Sequence, residues 1–222
     1  TGKPLVDVIL DKAGQKGTGK WTSQTALDIG VPIPTIDTAV ASRIMSAFKD
    51  ERVAASKVLK GPKMPKAQRK TLTNNLRDGL YCSMISTYAQ GFSMLRHAST
   101  EYGYNLNLPE IARIWKGGCI IRSRLLDKFR AAFVAQPGLP NLLVAPEFVE
   151  IINKRQAGWR KSIATAIAAG VPCMSLGASL AYWDGYRAAR MPQNLTQAQR
   201  DYFGAHTYRR IDKEGTFHTE WQ

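Results

Sequence analysis

Between Gly79 and Leu95 the chain carries no charged residue, and from Lys66 to Tyr102 it carries no proline. Such a run predicts a long α-helix buried on most sides, and a buried helix needs other helices to cover it. The flanking segments supply them. Ala39 to Lys57 sets Val40, Ile44, Ala47 and Phe48 on one helical stripe. Asn107-Leu108-Pro109-Glu110 opens a helix with a capping residue and a first-turn proline. Leu125, Leu126, Phe129 and Phe133 form an apolar stripe within Ser123 to Val134, and Pro146 starts a helix running to Ala169. The strand-like pattern Leu5-Val6-Asp7-Val8-Ile9-Leu10 reads equally as a short helix. The expected fold class is all-α.

An echo at an offset of 140 residues suggests a duplicated multi-helix unit. Thr25-Ala26-Leu27-Asp28-Ile29-Gly30-Val31-Pro32 matches Thr165-Ala166-Ile167-Ala168-Ala169-Gly170-Val171-Pro172, and Ala41 matches Ala181. Each copy spells a helix ending at glycine with a proline before the next helix; two coincidentally similar helix ends would look the same. After Pro192 the character changes: Tyr202, Phe203, Tyr208, Phe217 and Trp221 gather around Gly204 and Gly215. Those rings need a cover, from their own domain or from a partner. The expected division is a helical domain over residues 1–191 and an extended tail over 192–222.

Composition narrows the class. With 31 Lys plus Arg against 17 Asp plus Glu, the net charge is +14, while 44% hydrophobic content excludes a disordered polyampholyte. The three cysteines, Cys82, Cys119 and Cys173, form no CxxC pair, so reduced thiols, a cytoplasmic setting and no metal site are expected. Ser162 to Trp183 is uncharged, but Gly170-Val171-Pro172 interrupts it, so two helices meeting at a break are expected and no membrane span. The opening Thr1-Gly2-Lys3-Pro4 lacks an initiator Met or a leader and reads as a piece of something longer. Lys49 to Lys70 holds eight basic residues, a pattern shared by solvated loops and nucleic-acid footprints.

Gly14-Gln15-Lys16-Gly17-Thr18-Gly19-Lys20-Trp21-Thr22 is the densest motif. Its glycines let backbone N–H groups approach an anion, and its lysines add charge. Gly14 to Lys20 fits a phosphate-binding P-loop until Trp21 replaces the metal-binding hydroxyl. Thr22 stands one residue on, and one residue turns a helix by about 100°. The glycine order also departs from the dinucleotide fingerprint.

This stretch, extended back to Ile9, resembles the signature of the decarboxylating 6-phosphogluconate dehydrogenases. Lys49-Asp50-Glu51-Arg52-Val53-Ala54-Ala55-Ser56-Lys57, Gln197 to Tyr208 and Phe217-His218-Thr219-Glu220-Trp221 are similar to other blocks of that family, in the same order. The resemblance covers essentially the whole chain. It implies an NADP-dependent enzyme that oxidises and decarboxylates 6-phosphogluconate to ribulose 5-phosphate and CO2, and a homodimer whose tail enters the neighbouring subunit. By family position, the substrate ligands fall on Lys16, Arg43, Arg200 and His206, the last two lent to the other subunit's site. Lys20, His97, His218 and the cysteines are read as structural.

Family members also carry a Rossmann domain with the cofactor loop, followed by a helix with the lysine base and glutamate acid. Neither lies in these residues, so the resemblance implies no catalytic residue in this chain, NADP held mainly elsewhere and no turnover by the chain alone. It implies neither nucleic acid nor membrane as partner. Two other readings stay open on the residues: a helical dimerisation module whose basic loop binds nucleic acid or another polyanion, and a P-loop nucleotide hydrolase.

Overall fold

The computed structural model describes residues 2–66 and 68–221. Among them the regular elements are helical: α1 (Leu5–Val8), α2 (Thr18–Asp28), α3 (Pro34–Ala47), α4 (Lys49–Ser56), α5 (Arg69–Glu101), α6 (Leu108–Ile114), α7 (Leu125–Ala135), a 3-10 turn at Leu142–Val144, α8 (Pro146–Ala168), α9 (Met174–Tyr186) and α10 (Gln193–Gly204). No helix is long and apolar enough to cross a membrane among the described residues. The fold is all-α, with one isolated antiparallel bridge between Tyr208 and Phe217. The chain forms two compact units, Thr1–Trp183 and Asp184–Gln222.

The uncharged run becomes the middle of α5, 33 residues long. One of its faces is aromatic. Tyr88 and Phe92 meet Phe129 of α7, whose ring lies 5.0 Å from Phe148 at the start of α8. All four stripe residues of α7 are buried, and each buried ring contributes about 2–3 kcal/mol. Another face is small and polar. Ser83 Oγ accepts from Ser179 Oγ at 2.7 Å, Ser86 Oγ donates to the Ser179 carbonyl at 3.1 Å, and Gln90 donates from Nε2 to Thr35 Oγ1 at 2.7 Å. The Thr35 N–H completes the set, donating to Gln90 Oε1 at 3.0 Å. Buried polar groups so matched specify one register, because sliding either helix would strand them.

The echo forms two like corners. Ile29, Gly30 and Val31 donate their N–H groups to Thr25, Leu27 and Ala26 carbonyls; Ala169, Gly170 and Val171 do the same to Thr165, Ile167 and Ala166. Gly30 and Gly170 share φ 66°, a left-handed value open to glycine. Each corner then turns into its next helix, α3 or α9.

One open reading closes and another needs adjusting. Leu5 to Leu10 contains a short helix, not a strand, and its apolar side chains are exposed. The stripe from Ala39 to Lys57 is not one helix but two, broken at Phe48 with φ −78° and ψ 48°. The break frees the Ser46 carbonyl at the end of α3, and Arg52 Nη2 of α4 satisfies it at 3.1 Å.

Candidate functional site

The first unit presents the glycine loop. Gly17, at φ 120°, is the N-cap of α2 and takes a conformation that side chains resist. Upstream, the loop is tied to α3 and α4. The Ala13 N–H donates to Ser46 Oγ at 2.8 Å, and Arg43 donates from Nη2 to the Gly14 carbonyl. Asp11 accepts from Lys49 Nζ at 2.5 Å and from Arg52 Nη1 at 3.0 Å. The hydrogen bonds from Lys49 and Arg52 hold the Asp11 carboxyl at about 2.

Lys16 thus sits on a loop two residues past the carbonyl that Arg43 holds, at most about 7 Å along the chain. Its side chain is exposed and, among the described residues, makes no hydrogen bond or ion pair. Arg43 is exposed as well. Two cations therefore share one surface beside flexible-backbone glycines, an arrangement suited to an anion.

The P-loop alternative is not built here. No strand precedes the loop among the described residues, and Thr22 Oγ1 donates to the Thr18 carbonyl of its own helix at 2.8 Å. Among the described residues there is likewise no strand, glycine turn and helix in the order of the dinucleotide-binding fingerprint. Of the basic run, Lys49 and Arg52 are occupied by Asp11.

The second unit presents the other pair. Arg200 lies exposed on α10, its Nη1 donating to Gln197 Oε1 at 3.0 Å. The His206 N–H donates to the Arg200 carbonyl at 3.5 Å, bringing the two residues together at the helix end. Ala205 and Thr207, on either side of His206, have φ of 50° and 62°. Two non-glycine residues in that region cost about 1 kcal/mol or more each, so other contacts must enforce the turn. Gly204 makes room for the imidazole, since a Cβ there would stand 3.0 Å from His206 Nε2.

Asp201 enforces it, and sequence reasoning missed it. Fully buried, it accepts from the Thr207 N–H at 2.9 Å, His218 Nδ1 at 2.9 Å, the Thr219 N–H at 3.0 Å and Trp221 Nε1 at 2.9 Å. Burial alone would raise its carboxyl, but these four donors outweigh it and hold the group at about 2. The Tyr208 and Phe217 backbones bond each other in both directions, closing the hairpin that returns His218 to Asp201. Arg200 and Asp201 are neighbours that point apart, one to solvent and one inward, as helix geometry requires.

The first unit thus presents Lys16 and Arg43 at a pinned glycine loop, and the second presents Arg200 and His206 at a latched helix end, each within an all-helical setting. The chain belongs to the 6-phosphogluconate dehydrogenase C-terminal domain family, whose model matches residues 1–221. It is 57% identical over its full length to a 6-phosphogluconate dehydrogenase, decarboxylating, of Synechococcus elongatus, covering 47% of that protein. It is 55% identical, again over its full length, to the NADP(+)-dependent decarboxylating enzyme of Bacillus subtilis, covering 48%. The solved Plasmodium falciparum 6-phosphogluconate dehydrogenase, studied apo, with NADP+ and with 6-phosphogluconate, superposes with a TM-score of 0.93 at 42% identity, over all of this chain and 48% of that one. The chain spans about half the length of the relatives it matches.

Proposed function

We propose that this chain is the substrate-holding and dimerising part of an enzyme that oxidatively decarboxylates 6-phosphogluconate to ribulose 5-phosphate and CO2, with NADP reduced by groups outside these residues. The family match over residues 1–221 carries the reading. The substrate bears a carboxylate and a phosphate, so it needs several converging cations. Lys16 offers a compact charge from the glycine loop, and Arg43 offers a fork that pairs with either anion. Arg200 and His206 come from the tail of a second copy, in a homodimer whose tails exchange. Exposed Phe203 and Ile211, at 79% and 95%, support a partner surface over the second unit. The +14 charge adds a field that draws a polyanionic sugar acid toward the protein.

This chain's share of the chemistry is to bind and orient the substrate. NADP, when bound by the rest of such an enzyme, supplies the hydride acceptor. In the full-length protein, Arg200→Ala should raise KM for 6-phosphogluconate by about 10- to 100-fold, the loss of a charge-assisted pair, with the helical circular dichroism unchanged. An unchanged KM would remove Arg200 from the site.

A further inference from the structure

We propose that Asp11, Lys49 and Arg52 form a clamp that positions Lys16 and Arg43, and that the clamp serves ligand affinity and not the stability of the fold. The inference rests on reading Lys16 and Arg43 as ligands of the phosphorylated sugar acid.

The geometry concentrates anchors on one short segment. Asp11 takes both cations of α4, its backbone carbonyl accepts a further bond from Arg52 Nη2 at 3.2 Å, and Arg52 Nη2 also caps the Ser46 carbonyl. Ser46 Oγ in turn receives the Ala13 N–H at 2.8 Å and donates to the Arg43 carbonyl at 2.7 Å. Arg43 closes the circuit on Gly14. Every one of residues 11, 13 and 14 is therefore fixed to the α3–α4 junction, and Lys16 follows with only Gln15 between.

Two features argue that position, and not stability, is what the clamp delivers. Its side chains are partly exposed, 34% for Lys49, 32% for Arg52 and 56% for Asp11, and ion pairs so wet add little to folding. The segment also leaves the buried atoms Gln15 Oε1 and Arg52 Nε without hydrogen-bond partners among the described residues. A loop following only its own preferences would move to match them; this one stays where its anchors put it. The break at Phe48 belongs to the same device, because it turns α4 so that Lys49 and Arg52 face Asp11.

The test uses the 222-residue chain, 6-phosphogluconate as probe, amide hydrogen exchange and a thermal melt. Asp11→Asn and Arg52→Ala should each speed exchange across residues 11–17 and weaken binding by roughly tenfold, as loosened supports of ligand groups do. The double variant should lose less than the sum of the two single losses, since both singles break the Asp11–Arg52 contact. Arg52→Lys, which keeps the charge but not the fork that reaches Asp11 and the Ser46 carbonyl together, should fall between the unsubstituted chain and Arg52→Ala in affinity. Tm should move by no more than about 2 °C, as for a lost surface pair. Faster exchange with unchanged affinity overturns the proposal, as does a large fall in Tm with affinity intact. Failure of the unsubstituted chain to bind 6-phosphogluconate brings down the site reading and the clamp's purpose together, whereas binding that ignores the substitutions brings down the clamp alone.

Discussion

Asp201 shows what a single residue can organise. It lies inside its unit, surrounded by four donors drawn from positions 207 to 221, and its neighbour Arg200 faces out. Replacing it with Ala removes the common acceptor and strands Thr207, His218, Thr219 and Trp221 at once. Asp201→Ala is expected to unlatch the hairpin, seen as fast amide exchange at Thr207 and Thr219, and to release His206 from the turn held by left-handed Ala205 and Thr207 while α10 persists. The carboxyl also sets an acid limit. Its pKa falls from an ordinary 3.8 to about 2 on folding, so the latch is fully present above about pH 4 and is lost as pH falls through about 2. Exchange at those amides should therefore hold steady from neutral pH to about 4, once corrected for intrinsic rates, and rise below it. Arg200 and His206 could be proposed from family motifs because motifs record residues near each other in sequence. Asp201 could not, because its meaning comes from donors brought back by a hairpin.

At the scale of elements, the helices that bury a continuous stripe were legible. The limits of α5, α7 and α8 follow from where charge, proline and apolar spacing change, and both glycine corners follow from helix-ending chemistry. The break at Phe48 was not legible, since the apolar stripe runs on through it; a carbonyl capped by Arg52 and an acid 38 residues before Lys49 decide it. Glycines test the packing directly. Gly91 sits inside α5 with nothing within 4 Å of an added Cβ, so Gly91→Ala should stabilise by about 0.5–1 kcal/mol through the unfolded chain's lost freedom. Gly158, inside α8, faces Asp78 of α5, and an added Cβ would meet the Asp78 Cβ at 2.9 Å. That atom cannot swing aside as a side-chain tip can, so the two helices must separate. Gly158→Ala should destabilise by about 1–3 kcal/mol despite the same gain in helix propensity. Urea denaturation of the two variants gives opposite signs if α5 and α8 pack this closely, and equal signs if they do not.

For the molecule as a whole, the decisive question is whether one site draws on two copies of the chain. Lys16 and Arg43 lie on one compact unit, Arg200 and His206 on the other, and nothing in the sequence of one unit says which chain's other unit it serves. Subunit mixing answers it. On the proposed tail-exchanged dimer, Lys16→Ala and Arg200→Ala in the full-length protein should each lose most activity alone when 6-phosphogluconate is held well below its KM. Mixed, dissociated and reassociated in equal amounts, half of the dimers carry one variant chain of each kind. In such a dimer, one site combines both defects, but the other joins an intact Lys16 loop to an intact Arg200 tail. Activity should therefore return to about a quarter of the unsubstituted level, a fraction set only by pairing statistics in a two-fold symmetric assembly. A site confined to one chain gives no recovery, because each chain keeps its own defect whatever its neighbour. The same mixture with Lys16→Ala and Arg43→Ala should stay inactive under exchange of tails, because those two residues come from the same chain and every site in the mixed dimer lacks one of them.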